Sequence, residues 1–232
     1  MIRERVIETV EGIQGAFDAE AYDRWMKSMR KRGWIETRAI LAAGIVSGHA
    51  LEISPGPGYL GLDWLSKTQG TTLTGLDLSE EMLKRCRGNA AAEGLAARAS
   101  YVHGDACSMP FGDGTFDAVF ANGGLHEWAD PVAVFDEVGR VLRPGGAFCV
   151  TDLRRDMNAA LRVLLRTMTG SRSMRAGFDS SVRAAYVPEE VRTILARSRL
   201  SGARVDANAI GIEIIGAMPL RVGELVVGME SS

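Results

Sequence analysis

The stretch from His49 to Asp77, HALEISPGPGYLGLDWLSKTQGTTLTGLD, constrains the fold more than any other part of the chain. Ala50-Leu51-Glu52-Ile53 reads as a short buried strand. Ser54-Pro55-Gly56-Pro57-Gly58 cannot continue it, because proline removes a backbone donor and fixes φ, while glycine admits positive φ and close approach of another molecule. From Tyr59 to Lys67 the apolar spacing becomes helical through Leu60, Trp64 and Leu65. Thr71 to Leu76 is a second apolar strand, ending on Asp77. Strand, glycine turn, helix, strand and acid together form the nucleotide-binding half of an open α/β fold. The turn offers backbone N–H groups to a ligand, and the acid can accept from two ribose hydroxyls.

The glycine spacing separates two readings. A dinucleotide site uses G-x-G-x-x-G with a pyrophosphate at the helix start. Here the glycines alternate and Glu52 precedes them. This pattern resembles the E-x-G-x-G-x-G turn of class I S-adenosylmethionine-dependent methyltransferases. The first glycine of that pattern is replaced by Ser54, which costs stability if the position needs an unusual backbone angle. The resemblance implies S-adenosyl-L-methionine as cofactor and S-adenosyl-L-homocysteine as product. It places Glu52, Ser54, Gly56, Gly58 and Asp77 around the cofactor.

At 232 residues the chain fits one α/β domain with additions. A net charge of −2 gives no global pull toward nucleic acid or membrane. Cys86, Cys107 and Cys149 are scattered and odd in number, so neither a metal nor a disulfide framework is expected. The charged start IRERVIETVE lacks a signal-peptide core, and no apolar run is long enough to span a membrane; a cytoplasmic location is expected.

Before the first strand the sequence predicts only helices: a short amphipathic one through Ile2, Val6, Ile7 and Val10, then Ala19 to Met29, then Ile35 to Ile45. Lys27 to Arg32 is a locally basic, solvated helix end. Tyr22 and Trp25 are similar to the tyrosine-bearing N-terminal helix with which many small-molecule methyltransferases close over the cofactor. Core packing is the competing role for Trp25.

Beyond Asp77, Ser79 is an N-cap and Glu80-Glu81 suit the positive end of a helix dipole. Met82, Leu83, Cys86 and Ala90 give that helix an apolar face, and Gly94 stops it. Tyr101-Val102-His103 is a third strand, with His103 a strand residue rather than a ligand. The following GDA-x-x-x-PF segment is similar to the family's adenine loop. By that resemblance Asp105 accepts from the adenine amino group, the Ala106 backbone meets the ring edge and Leu78 packs on its face.

Phe116 to Phe120 is the fourth strand, and FDAVFANGGLHEW is close to the family's fourth-strand signature, which puts Asn122 at the cofactor edge. Pro131 to Leu142 is a helix, ended by Arg143-Pro144-Gly145-Gly146. Ala147 to Thr151 is the fifth strand. The resemblance covers Leu51 to Asp152. It implies a Rossmann-like open, mostly parallel seven-stranded sheet with helices on both faces. An N-terminal helical cap (1–46) precedes the binding core (47–152); a helical insertion (153–200) and C-terminal strands (201–232) follow strand 5.

In the insertion, Asp156 to Thr169 is amphipathic, with Leu161, Leu164, Leu165 and Met168 on one face. Gly170 to Gly177 is a glycine-, serine- and arginine-rich break, and Pro188 to Leu200 is a helix. Arg204 to Asn208 and Gly211 to Ala217 are the last strands. From Arg154 to Arg204, eleven arginines face four acids. They either pair with acids and solvent or, through Arg154 and Arg155, bind an anionic group on a partly apolar small substrate. In the second case the helix around Leu161 to Met168 and the helix bearing Tyr22 and Trp25 close over the substrate.

Methyl transfer asks a protein mainly for positioning and, for an alcohol or amine, for removal of a proton. His126 and Glu127 are the titratable pair at the expected strand ends. His126 titrates near neutrality in its reference state and suits a general base. Its competing role is to start the next helix. Two other functions fit parts of the sequence: a non-catalytic cofactor-binding or partner module, and a nicotinamide-dependent oxidoreductase. Asp77 suits the latter, but the glycine spacing and LRPGG do not. No N/D-P-P-Y/F step, RNA-binding module or acidic metal cluster is present in the sequence, so a nucleic-acid substrate and a metal are not expected.

Overall fold

A computed structural model describes residues 4–7 and 19–220. One seven-stranded sheet runs through it in the order β3-β2-β1-β4-β5-β7-β6. The strands are β1 His49–Ile53, β2 Thr72–Asp77, β3 Ala99–His103, β4 Phe116–Asn122, β5 Leu142–Leu153, β6 Arg204–Ala207 and β7 Gly211–Ala217. The first five pair in parallel, and β7 is antiparallel to both β5 and β6. The chain winds outward from β1 through β2 to β3, then returns to β4 on the other side of β1. That reversal opens a crevice at the carboxyl ends of β1 and β4, where open α/β sheets take ligands.

Helices cover both faces. α1 is Ala19–Lys31, α2 Thr37–Ala42, α3 Tyr59–Lys67, α4 Glu80–Ala92, α5 Pro131–Val141, α6 Ala159–Met168, α7 Arg172–Ala184 and α8 Pro188–Leu195. Leu60, Trp64 and Leu65 of α3 and Leu83 and Cys86 of α4 pack with Ala50 and Phe120 on one face. Val134, Phe135 and Val138 of α5 and Val191 and Leu195 of α8 pack with Leu51, Val119 and Phe148 on the other. Central parallel strands are buried on both sides, which is why β1 and β4 read as continuous apolar runs. The helix starts follow local chemistry: Ser79 accepts from Met82 N–H at 3.3 Å, and Asp130 accepts from Val132 and Ala133 N–H at 3.0 and 3.1 Å.

Four expectations need correction. Residues 4–7 are not helical: Val6 N–H donates to the Arg183 carbonyl at 3.1 Å, so this piece is strapped to the end of α7. The remainder of that expected helix lies outside the described residues. Gly170 to Gly177 is not a break, because α7 begins at Arg172, where the Ser171 hydroxyl accepts from Met174 N–H at 3.3 Å. Gly170, at φ +83, ends α6, and Gly177 sits inside α7 at the usual glycine cost of about 1 kcal/mol. LRPGG lies within β5, since Leu142 already pairs with Phe116 before a register shift. The helix expected to reach Leu200 stops at Leu195.

Candidate active site

The glycine turn is shaped by positive φ. Ser54 has φ +53, Gly56 φ +54 and Gly58 φ +85, and Gly58 is the residue from which α3 starts. A glycine takes such angles freely; Ser54 takes its angle at the expense of contact between its Cβ and the backbone. Ser54 is the only non-glycine with positive φ among the described residues. Its N–H donates to the Leu76 carbonyl at 2.9 Å, and its Cβ packs beside Gly124.

Around this turn the structure gathers the expected residues from β1, β2, β4 and α1. Asp77, at the end of β2, accepts from the N–H groups of Ser79 (2.8 Å to Oδ1), Gly56 and Leu78. Burial outweighs those bonds and raises its pKa above the ordinary carboxylate value. Leu78 beside it is 67% exposed. Glu52 is fully buried and accepts from Gly61 N–H; burial, chiefly, pushes its pKa well up. Tyr22 of α1 covers the turn: a Cβ added at Gly56 would lie 3.4 Å from Tyr22 Cε1. Its phenol pKa is raised by burial and by the charges of Glu127, Asp77 and Asp152, so three carboxylates from different elements act on one hydroxyl. Trp25 stands behind Tyr22 with ring centroids 5.9 Å apart. Asn89 of α4 fastens the cap, donating to Asp23 Oδ1 at 3.1 Å and to the Pro57 carbonyl at 2.9 Å.

Asp105 lies in an exposed turn after β3 and accepts from Cys107 N–H at 2.8 Å; Ala106 is half-buried next to it. His103 is a strand residue, with Nε2 3.0 Å from the Leu78 carbonyl. Asn122 ends β4, and its Oδ1 accepts from the Thr151 hydroxyl at 2.8 Å.

His126 sits on a 3₁₀ turn, Leu125–Glu127, and is 4% exposed. Asp152, at the end of β5, holds it twice: Oδ2 accepts from His126 N–H at 2.8 Å, and the carboxylate accepts from Nδ1 at 2.9 Å. Glu127 is exposed, with Oε1 3.8 Å from His126 Nε2. Arg5 clamps the same turn from outside. Its guanidinium donates to the His126 carbonyl at 3.0 Å and the Ala184 carbonyl at 2.6 Å, and lies 4.1 Å above the Tyr186 ring.

Sequence reasoning passed over Asp152, Asn89 and Arg5. Asp152 directly follows the fifth strand as read from the sequence, the one local signal that could have found it. The other two act across more than thirty residues of chain, beyond any local pattern.

Arg154 and Arg155 leave β5 on the same side but already have carboxylate partners. Arg154 is bidentate to Asp156 (2.6 and 2.7 Å) and donates to the Asn208 carbonyl at 2.8 Å. Arg155 is nearly buried against Glu190 (2.6 Å) and the Ala185 carbonyl. Of the two readings the sequence left open, pairing with acids is the one visible here.

A family pattern described as a methyltransferase domain matches residues 51–150, the span from β1 to within β5 that builds this edge. That span is a methyltransferase domain of the class I S-adenosylmethionine-dependent kind. Enzymes of this family use S-adenosyl-L-methionine as cofactor. A ubiquinone/menaquinone biosynthesis C-methyltransferase of Roseobacter denitrificans is 32% identical over 65% of this chain and 62% of its own length. The chain thus spans about three-fifths of that relative. A demethylmenaquinone methyltransferase of Thermus thermophilus is 28% identical over 72% of this chain and 81% of its own. A solved SAM-dependent methyltransferase from Aquifex aeolicus superposes with a TM-score of 0.66 at 17% identity, covering 87% of this chain and 99% of that one, a likeness of fold.

Proposed function

We propose that this chain transfers a methyl group from S-adenosyl-L-methionine to a small-molecule nucleophile, with His126 as general base and Asp152 as the residue that positions it. The observation that carries this reading is the double hold of Asp152 on His126. A carboxylate only accepts, so the bonded Nδ1 carries the proton and Nε2 is the basic nitrogen of the neutral ring. The cofactor, when bound, supplies the activated methyl group. Gly56 and Gly58 allow its close approach, Asp77 receives its ribose hydroxyls, exposed Asp105 receives the adenine amine, and Leu78 covers the ring. Glu52 and Ser54 shape the turn beneath it. Tyr22 and Trp25 close the cap, excluding water from the transfer.

The nucleophile is an apolar small molecule bearing an ionisable hydroxyl or acidic carbon. Two relatives named for quinone methylation point the same way. Arg154 and Arg155 remain the candidates for an anionic group on such a substrate, at the cost of their present partners.

Transfer of labelled methyl from S-adenosyl-L-methionine to reduced demethylmenaquinone, beside a panel of phenols with and without a carboxylate, tests the reading. Label should appear in a product and fall in His126→Ala. In Arg154→Ala/Arg155→Ala, neutral and anionic members should respond alike if the two arginines serve only Asp156 and Glu190. A selective loss of the anionic members assigns them to substrate. Absence of transfer to every member, with the cofactor bound, supports a non-catalytic binding module instead.

A further inference from the structure

Helix α6 leaves half of its apolar ridge uncovered: Leu161 and Leu165 are half-buried, while Leu164 and Met168 are exposed. Its charged stripe, Arg162 and Arg166, turns toward α7, where Asp179 receives both guanidiniums at 4.0 and 2.6 Å. The apolar ridge Leu161, Leu164, Leu165 and Met168 recurs at helical spacing on a different side. An amphipathic helix in a closed fold buries such a ridge. In α6 no residue is buried: Leu164 is 56% exposed, Met168 39%, and Val163 on the flank 61%. Three large apolar side chains therefore stand in solvent on one ten-residue helix, within a single exposed side that runs from Val163 through Leu164 to Met168.

Charge says which occupant. Residues 159–184, covering α6 and α7, hold five arginines and one acid, a net of +4 in a chain of net −2. The one acid, Asp179, is engaged by α6, while Arg172 and Arg183 are exposed on α7. A second copy docking through this surface would set like charge against like charge. A surface that is apolar at depth and anionic at its face matches both features. A short helix with an exposed apolar ridge beside arginines lies in the plane of such an interface. Among the described residues no helix is long and apolar enough to cross a membrane, so attachment by this hairpin is peripheral. The hairpin also leaves β5 at the carboxyl edge of the sheet, the edge that carries the cofactor turn.

We propose that α6 and α7 dock this protein on an anionic lipid surface, with Leu164, Met168 and Val163 inserted and the α7 arginines on the headgroups. This goes beyond methyl transfer and does not depend on it.

Co-sedimentation of the full chain with vesicles tests it. Vesicles of equal parts phosphatidylcholine and phosphatidylglycerol should bind the protein, and phosphatidylcholine alone should bind it weakly. Raising salt from low to molar should release it, since screening shortens to a few ångströms. Leu164→Glu/Met168→Glu should lower the partition by more than about tenfold. Arg172→Gln/Arg183→Gln should lower it about fivefold per arginine. All four side chains are exposed, so circular dichroism and the thermal midpoint should stay those of the parent, as should affinity for S-adenosyl-L-methionine. Equal binding to both vesicle types, no binding to either, or indifference to Leu164→Glu/Met168→Glu overturns the proposal. So does a dimer in light scattering that this same double variant abolishes while vesicle binding is absent; that outcome assigns the ridge to a second copy.

Discussion

The Asp152 carboxylate accepts from both the backbone N–H and the ring Nδ1 of His126, fixing where this imidazole stands and which nitrogen is basic. The two residues come from different elements, a 3₁₀ turn after β4 and the end of β5, and meet because those strands are paired neighbours.

Replacing the acceptor by an amide tests that arrangement. Asp152→Asn keeps the shape but can donate to Nδ1, which favours the opposite tautomer. We expect kcat to fall by roughly 10²–10⁴-fold, the range for a lost general base. Affinity for S-adenosyl-L-methionine should stay nearly unchanged. His126→Ala combined with Asp152→Asn should be no worse than the worse single change, because the pair acts as a unit. A purely structural Asp152 would instead lower the thermal midpoint and cofactor affinity together.

Ser54 holds a left-handed backbone angle, φ +53, that a glycine adopts without strain. Relief of that strain is worth about 1–2 kcal/mol, against which glycine's extra unfolded-state freedom returns about 0.4–1. Ser54→Gly should therefore stabilise the fold by about 0.8 kcal/mol, the middle of a difference that runs from about 0 to 1.6. For a chain of this size the thermal midpoint should rise by about 1–4 °C. A lower midpoint would mean that the Ser54 side chain, packed beside Gly124, contributes more than the strain costs.

Glu52 makes stability depend on pH in an unusual direction. Its folded pKa lies well above its unfolded value, because burial disfavours the charge. The folded state then binds a proton that the unfolded state has released. Its contribution is fully present below the unfolded value, about 4.3, and is lost as pH rises through the raised folded value. Glu52→Gln keeps an acceptor for Gly61 N–H without the charge. Chemical denaturation across pH should show the parent losing stability over that window relative to Glu52→Gln, with the two curves drawing together at acid pH. Parallel curves would mean that Glu52 ionises freely in the folded protein.

The fold was legible where local and global preferences coincide. α3 and β7 fall where the sequence placed them, because glycine punctuation and apolar runs mark both ends. α7 was not legible: Gly170, Ser171, Ser173 and Gly177 look like a loop, but Ser171 is a cap and the helix is held through buried Val182 and Ala184. Residues 4–7 carry helical spacing yet serve as a strap, since Arg5 gains three partners by crossing to His126, Ala184 and Tyr186. At the site, the glycine turn and Asp77 could be read because a short segment encodes them. Asp152 and Asn89 could not, because strand pairing and helix packing bring them to their partners.

Every role proposed for this site depends on binding of S-adenosyl-L-methionine at the edge formed by Gly56, Gly58 and Asp77. Calorimetric titration of the parent and of Asp77→Ala is the most direct test. The parent should bind both S-adenosyl-L-methionine and S-adenosyl-L-homocysteine and ignore NAD. Asp77→Ala removes a charged acceptor for two hydroxyls, at roughly 1.5–3 kcal/mol per charged hydrogen bond, so affinity should fall by at least about tenfold. Parent affinity should also weaken toward acid, beginning above the ordinary carboxylate range, because burial raises the pKa of Asp77. Unchanged affinity in Asp77→Ala, or tighter binding of NAD than of S-adenosyl-L-methionine, would remove this edge as the cofactor site.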